Sequence, residues 1–192
     1  MKDNLPSRCH LLCRLLFSSL VFLLPCTSLV LAASKADEAR RSIAGFYNLY
    51  LKLHPFGVPN AQTQGKLAPY LSSSLRQQLK NALAAEQRYA KQNRNEVPPL
   101  VESDLFTSLF EGASGFKIAS CEIQEKQRSC LAQFSRNDAA KKVMSWQDRV
   151  YVISESHGWM IDEVEYLGDW QFMHKGRLKT LLQDVIAESD KK

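Results

Sequence analysis

The amino-acid sequence predicts an α+β domain in which N-terminal helices and one C-terminal helix pack on a curved antiparallel sheet. Three observations carry this expectation. Apolar residues recur at helical spacing as far as residue 92, the period shortens to two between residues 116 and 166, and helical spacing returns over residues 177–188. The β-type runs are joined by short polar links, as hairpins are. Such a layered arrangement commonly leaves a cone-shaped space between sheet and helices, where a ligand would sit.

The chain opens with Lys2, Arg8 and Arg14 around the start of an apolar run, LLFSSLVFLL at residues 15–24, followed by Pro25 and Val30-Leu31-Ala32-Ala33. A basic head, an apolar centre and small residues at the third-last and last positions are the grammar of a secretory signal peptide cut after Ala32. The expected boundaries are residues 1–32 for the leader and 36–190 for one folded domain, located in the periplasm and not stably inserted in the membrane. Two other readings stay open. One is an uncleaved anchor, since residues 15–33 are just long enough to cross a bilayer. The other is a lipoprotein acylated at Cys26, although Pro25 stands where such signals want a small residue.

Cleavage removes three of the 25 basic residues and one of the 20 acidic ones, leaving a net charge of +3. No stripe of Lys and Arg remains beyond Lys141-Lys142 and Lys191-Lys192, which argues against nucleic acid as a partner. Cys9, Cys13 and Cys26 leave with the leader. Cys121 and Cys130 then stand alone in an oxidising compartment, and a disulfide is the natural pairing. A CxxC redox pair or a zinc site needs different spacing and more ligands.

Within the mature chain, residues 36–53 place Ala39, Ile43, Phe46, Tyr47 and Tyr50 on one helical stripe, stopped by His54-Pro55-Phe56-Gly57. After a turn-rich link to Gly65, helical spacing resumes with Leu75, Leu79, Ala82, Leu83 and Glu86, and ends near Gln92. Ser74 with Gln77 three residues on reads as its capping box. ESDLFTSLF, residues 102–110, reads as one or two helical turns. FKIASCEI and SCLAQFS form a first hairpin turning at Glu125-Lys126, with Cys121 opposite Cys130. WQDRVYVIS and WMIDEVEY form a second, offering Trp146, Val150, Val152, Trp159, Ile161 and Val164 to a core face. The last helix carries Leu178, Leu181, Leu182 and Val185 inward. Before it, Trp170 and Phe172 are expected to pack that helix onto the sheet, with His174 and Lys175 exposed.

Together FYNLYLKL, LAPYLSSSLRQQL, SDLFTSLF, the strand start Gly158-Trp159-Met160-Ile161-Asp162 and the closing GDWQF and GRLKTLL resemble the DUF3828 domain over residues 40–186. That resemblance implies a bacterial envelope protein with a fold similar to the nuclear transport factor 2 superfamily, an NTF2-like cone. The chain departs from some members in lacking the lipid-anchor cysteine. The resemblance supplies no catalytic residues.

Known catalytic devices are missing from the sequence: there is no GxSxG, no Walker or GxGxxG loop, and no HxxxH. No cofactor and no metal are expected. His157 sits in Ser156-His157-Gly158, where a hairpin tip explains it. Tyr47 and Tyr50, one turn apart, either fill the core or aim hydroxyls into the cone. Asp104, Asp162, Glu163, Glu165 and Asp169 are the acid or base candidates, and Trp146 and Trp170 the aromatic ones. On strict alternation Asp162 shares a face with Val164, opposite Glu163 and Glu165. The expected function is a non-catalytic domain that binds a partner protein or small envelope ligand. The alternatives are an immunity or inhibitor protein against a toxin or cell-wall hydrolase, and a cone-pocket enzyme using a buried carboxylate.

Overall fold

A computed structural model describes residues 27–93, 103–123, 128–137, 142–171 and 173–190, with side chains from residue 37. Helix α1 spans Thr27–Leu53, α2 Ala61–Leu67, α3 Ser73–Gln92 and α4 Leu178–Ser189. The strands are β1 (Gly115–Ile123), β2 (Arg128–Asn137), β3 (Val143–Glu155), β4 (Gly158–Tyr166) and the short β5 (Gly176–Arg177). They form one open antiparallel sheet in the order β1-β2-β3-β4-β5. The α+β class is as expected. The apolar run at residues 15–24 and the turn at Glu125-Lys126 lie outside the described residues. Among the described residues no helix is long and apolar enough to cross a membrane.

Period explains the core. The stripe Ala39, Ile43, Phe46, Tyr47 and Tyr50 turns one face of α1 inward, each residue at most 1% exposed. It meets Cys130, Ala132 and Phe134 of β2, Trp146, Val150 and Val152 of β3, and Ile161, Val164 and Tyr166 of β4. These positions alternate along β2 and β3, as a sheet with one packed face requires. Aromatic rings dominate the centre: Tyr47 meets Phe134 edge-on at 4.9 Å and Phe46 meets Phe106 at 5.0 Å between centroids. The opposite face carries a charged ladder in which Arg149 reaches Glu122 and Glu165, and Arg177 reaches Glu165 and stacks over Tyr151.

Four local expectations are corrected. Residues 61–64, expected as a link, begin α2, capped by Asn60 accepting from the Thr63 N–H at 2.9 Å. The cap of α3 is Ser72, which accepts from the Leu75 N–H at 3.0 Å, not Ser74. The reason is tertiary: Leu71 bridges Ile161, and the Ser72 N–H donates to the Ile161 carbonyl at 2.8 Å, which holds Ser72 extended. Residues 103–110 form no helix. Alternation on β4 also fails, because the ladder slips between Tyr151 and Val152 and leaves Asp162 as the extra residue of a bulge. Ile161 and Val164 therefore both face the core, and Asp162 is half-buried.

Cys121 and Cys130 are directly opposed across β1 and β2 and joined by a disulfide. The bond closes a ten-residue loop at the sheet edge. The chain-entropy model assigns such a loop about 2.7 kcal/mol. Replacing both cysteines by Ser is expected to lower the unfolding free energy by about 2–3 kcal/mol in a urea titration and to raise its slope slightly, since the open denatured chain exposes more surface.

Candidate functional site

Residues 103–113 run between α1 and the inner face of the sheet, and residues 103–109 are buried there. Leu105, Phe106 and Leu109 are buried, together with Asp104, Thr107 and Ser108. A buried loop must find partners for its main chain or lose several kcal/mol. Here side chains of α1 and β4 and the main chain before α4 supply them. The Tyr47 hydroxyl of α1 donates to the Phe106 carbonyl at 3.0 Å, and the Tyr166 hydroxyl of β4 donates to the Leu105 carbonyl at 2.6 Å. The main-chain N–H of His174 donates to the Ser108 carbonyl at 2.8 Å.

Two carboxyl groups organise the segment. Asp104 accepts from the N–H groups of Phe106 and Thr107, each at 2.7 Å, a side-chain turn that explains why SDLFTSLF leaves the helical path. Its other oxygen meets the Tyr50 hydroxyl. Gly112 closes over this pair at φ +72°, and a Cβ there would lie 2.7 Å from the Asp104 carboxyl and 2.8 Å from the Tyr50 hydroxyl. Asp148 of β3 is fully buried and accepts four hydrogen bonds, from the Ser108 N–H (2.8 Å), the Ser108 hydroxyl, the Trp146 indole (3.2 Å) and the Leu167 N–H (3.0 Å).

Burial shapes the electrostatics. Asp104 is pushed up to about 8, chiefly by desolvation and against the pull of the Phe106 and Thr107 N–H groups; the nearby Asp148 adds to the rise. Desolvation also raises Asp148, while its donors hold it back. Tyr47 and Tyr166 are raised well above the usual phenol range by burial. His174 is lowered by burial, and its Nε2 lies 2.7 Å from the Asp104 carbonyl. Because a carbonyl only accepts, the neutral ring carries its proton on Nε2.

Among the expected site residues, the structure brings Tyr47, Tyr50, Asp104 and Trp146 to this segment, where they hold the protein's own chain. Asp162 lies elsewhere, bonded to the Ser72 hydroxyl at 2.6 Å and paired with Lys179 at 2.7 Å. It joins α3, β4 and α4. Asp169 and Trp170 are exposed on the turn after β4, and the expectation that Trp170 packs the last helix onto the sheet is overturned. The side chain of Phe172 lies outside the described residues. His174 is buried, not exposed, because it spans between Tyr166 and Phe110 at ring distances of 5.2 and 4.5 Å. His157 is exposed at the hairpin tip, as expected. Trp159, expected on the core face, is half-buried beneath the Arg128 guanidinium at 3.8 Å.

Sequence reasoning passed over Asp148. A signal was present: in Trp146-Gln147-Asp148-Arg149-Val150 the alternation that turns Trp146 and Val150 inward turns Asp148 inward too. An inward carboxylate in a strand requires partners, and here they come from a segment 40 residues away.

Two hollows open on the other side of the molecule, along α2 and α3, with volumes of about 290 and 440 Å³. Neither is lined by Asp104 or Asp148. Among the described residues, no group of three His, Cys, Asp or Glu side chains is placed to hold a metal ion. Comparison with known protein families, curated proteins and solved structures finds no match to this chain.

Proposed function

We propose that this chain is an exported, non-catalytic binding domain of the DUF3828 kind, built as an NTF2-like cone closed from within. In this reading it recognises a partner protein or a small envelope ligand at its surface. One observation carries the proposal: residues 103–109 are buried between the Tyr47 and Tyr50 side of α1 and the inner face of the sheet, with Phe110 and Glu111 at the surface. Both buried carboxyl groups there are occupied by main-chain N–H, hydroxyl and indole donors of the same chain. A site whose polar groups are already satisfied, and which solvent does not reach, has nothing left to offer a substrate. The leader grammar and the disulfide support export.

The enzyme reading draws on Asp104, whose raised pKa suits a general acid near neutral pH. It requires the segment to leave. A panel of hydrolase and isomerase assays on the purified mature protein separates the two. The expected result is no turnover above that of heat-inactivated protein. Turnover abolished by Asp104→Asn, in a variant that still folds, would replace the binding reading with the catalytic one. Pull-down from envelope extract with intact protein is expected to retain a specific partner or small molecule; nothing above background would count against recognition.

A further inference from the structure

We infer that the groove between α2 and α3 binds a single-chain amphiphile with a carboxylate head, such as a medium-chain fatty acid. The inference rests on the surface-recognition reading and deepens it by naming a ligand class. The groove holds about 290 Å³, close to the lower end of small-ligand clefts. Its walls are small on the α2 side, with Ala61, Gly65 and Ala68, and aliphatic on the α3 side, with Leu79 and Leu83. Gln64 pins the two walls, donating to the Pro59 carbonyl at 2.8 Å and the Leu79 carbonyl at 3.1 Å.

The charge along the groove is one-sided. Its only charged lining residues are Arg76 and Lys80, one helical turn apart on α3. Neither forms an ion pair among the described residues. Arg76 places one Nη on the Ser73 hydroxyl at 3.1 Å, while its Nε is buried with no hydrogen-bond partner. Two cations without an acidic partner among the described residues, at the edge of an apolar trough, suit an anion on the end of an apolar chain.

Arg76 also lines the second hollow, which contains Glu155. Glu155 already accepts from the Ser73 N–H and hydroxyl, and its charge repels an anion moving further in that direction. The head therefore stops at Arg76 and Lys80, and the tail lies over Leu83 and Ala84 against the small residues of α2. A peptide fits less well. An extended one would bury main-chain groups against helices whose own are already paired. A helical one, about 10 Å across, is too wide for this volume.

The test is a calorimetric titration of the mature protein with decanoate below its micelle concentration, with 1-decanol as the uncharged probe. Saturable one-to-one binding of decanoate is expected. Gly65→Leu should weaken it by about tenfold or more, since a Leu there fills the groove. A Cβ at Gly65 meets nothing within 4 Å and Leu favours a helix over Gly, so this variant should keep its melting temperature. Arg76→Gln with Lys80→Gln should weaken decanoate by about tenfold and decanol far less. Absent saturable binding, or binding that Gly65→Leu leaves unchanged, overturns the inference. Decanol binding as tightly as decanoate overturns the role of the basic pair, and a dimer lost in Gly65→Leu reassigns the groove to a second copy. None of these results touches the turnover assays, so failure here leaves surface recognition standing.

Discussion

Asp148→Ala is expected to remove about 4 kcal/mol or more of unfolding free energy. The carboxylate accepts from two main-chain N–H groups, one hydroxyl and one indole, and is itself fully buried. Truncation strands four donors with no water to take its place, each costing about 1–3 kcal/mol, partly relieved by relaxation of the segment around Ser108. Asp148→Asn separates the charge from the acceptor count. Its amide oxygen can still serve the Ser108 N–H and the indole, whereas its NH2 faces the Leu167 N–H, donor against donor. A loss of about half that of the alanine variant is therefore expected. Urea titration checks both, and a change below about 0.5 kcal/mol in the alanine variant would mean that the segment is not held through Asp148.

Stability should fall as pH rises from about 5 to 8, the reverse of what paired surface carboxylates produce. Asp104 has its folded pKa raised to about 8 from an ordinary carboxylate value near 3.8. Between those values the folded state holds a proton that the unfolded state has released. The stabilisation is thus complete below the unfolded pKa and is lost as pH climbs through the folded one. The slope approaches about 1.4 kcal/mol per pH unit for a single proton. Asp148 and Glu86, the latter raised to about 7 by burial, act in the same direction. His174 acts oppositely: lowered by burial, it costs stability as pH falls below its unfolded value near 6.5.

Asp104→Asn isolates the main contribution. Asn keeps an oxygen for the Phe106 and Thr107 N–H groups, and its NH2 can donate to the Tyr50 hydroxyl oxygen. The variant should lose about one proton's worth of slope between pH 5 and 8 and exceed the parent in stability above pH 8. Urea midpoints at half-unit intervals measure this, and an unchanged slope would show that Asp104 is ionised in the folded protein.

Local periodicity by itself determined the inward stripe from Ala39 to Tyr50, the buried face of α4 and the four long strands, while the cysteine count behind the leader pointed to the pairing of Cys121 with Cys130. The helices and strands follow from a repeat of 3.6 or two residues, which needs only near neighbours in the chain. Tertiary contact decided the rest. Ser72 caps α3 because β4 holds it extended, and Asp162 leaves the core face because of a bulge. His174 is buried because a loop 70 residues away offers it a carbonyl. The site itself belongs to this second group. SDLFTSLF reads as one or two helical turns until Tyr47, Asp148 and Tyr166 arrive from three different elements to satisfy its main chain and Tyr50 meets its carboxyl group. Hydrogen-bond demand in a water-free interior has no sequence period, so only the assembled fold could show that this segment is buried against α1 and the sheet.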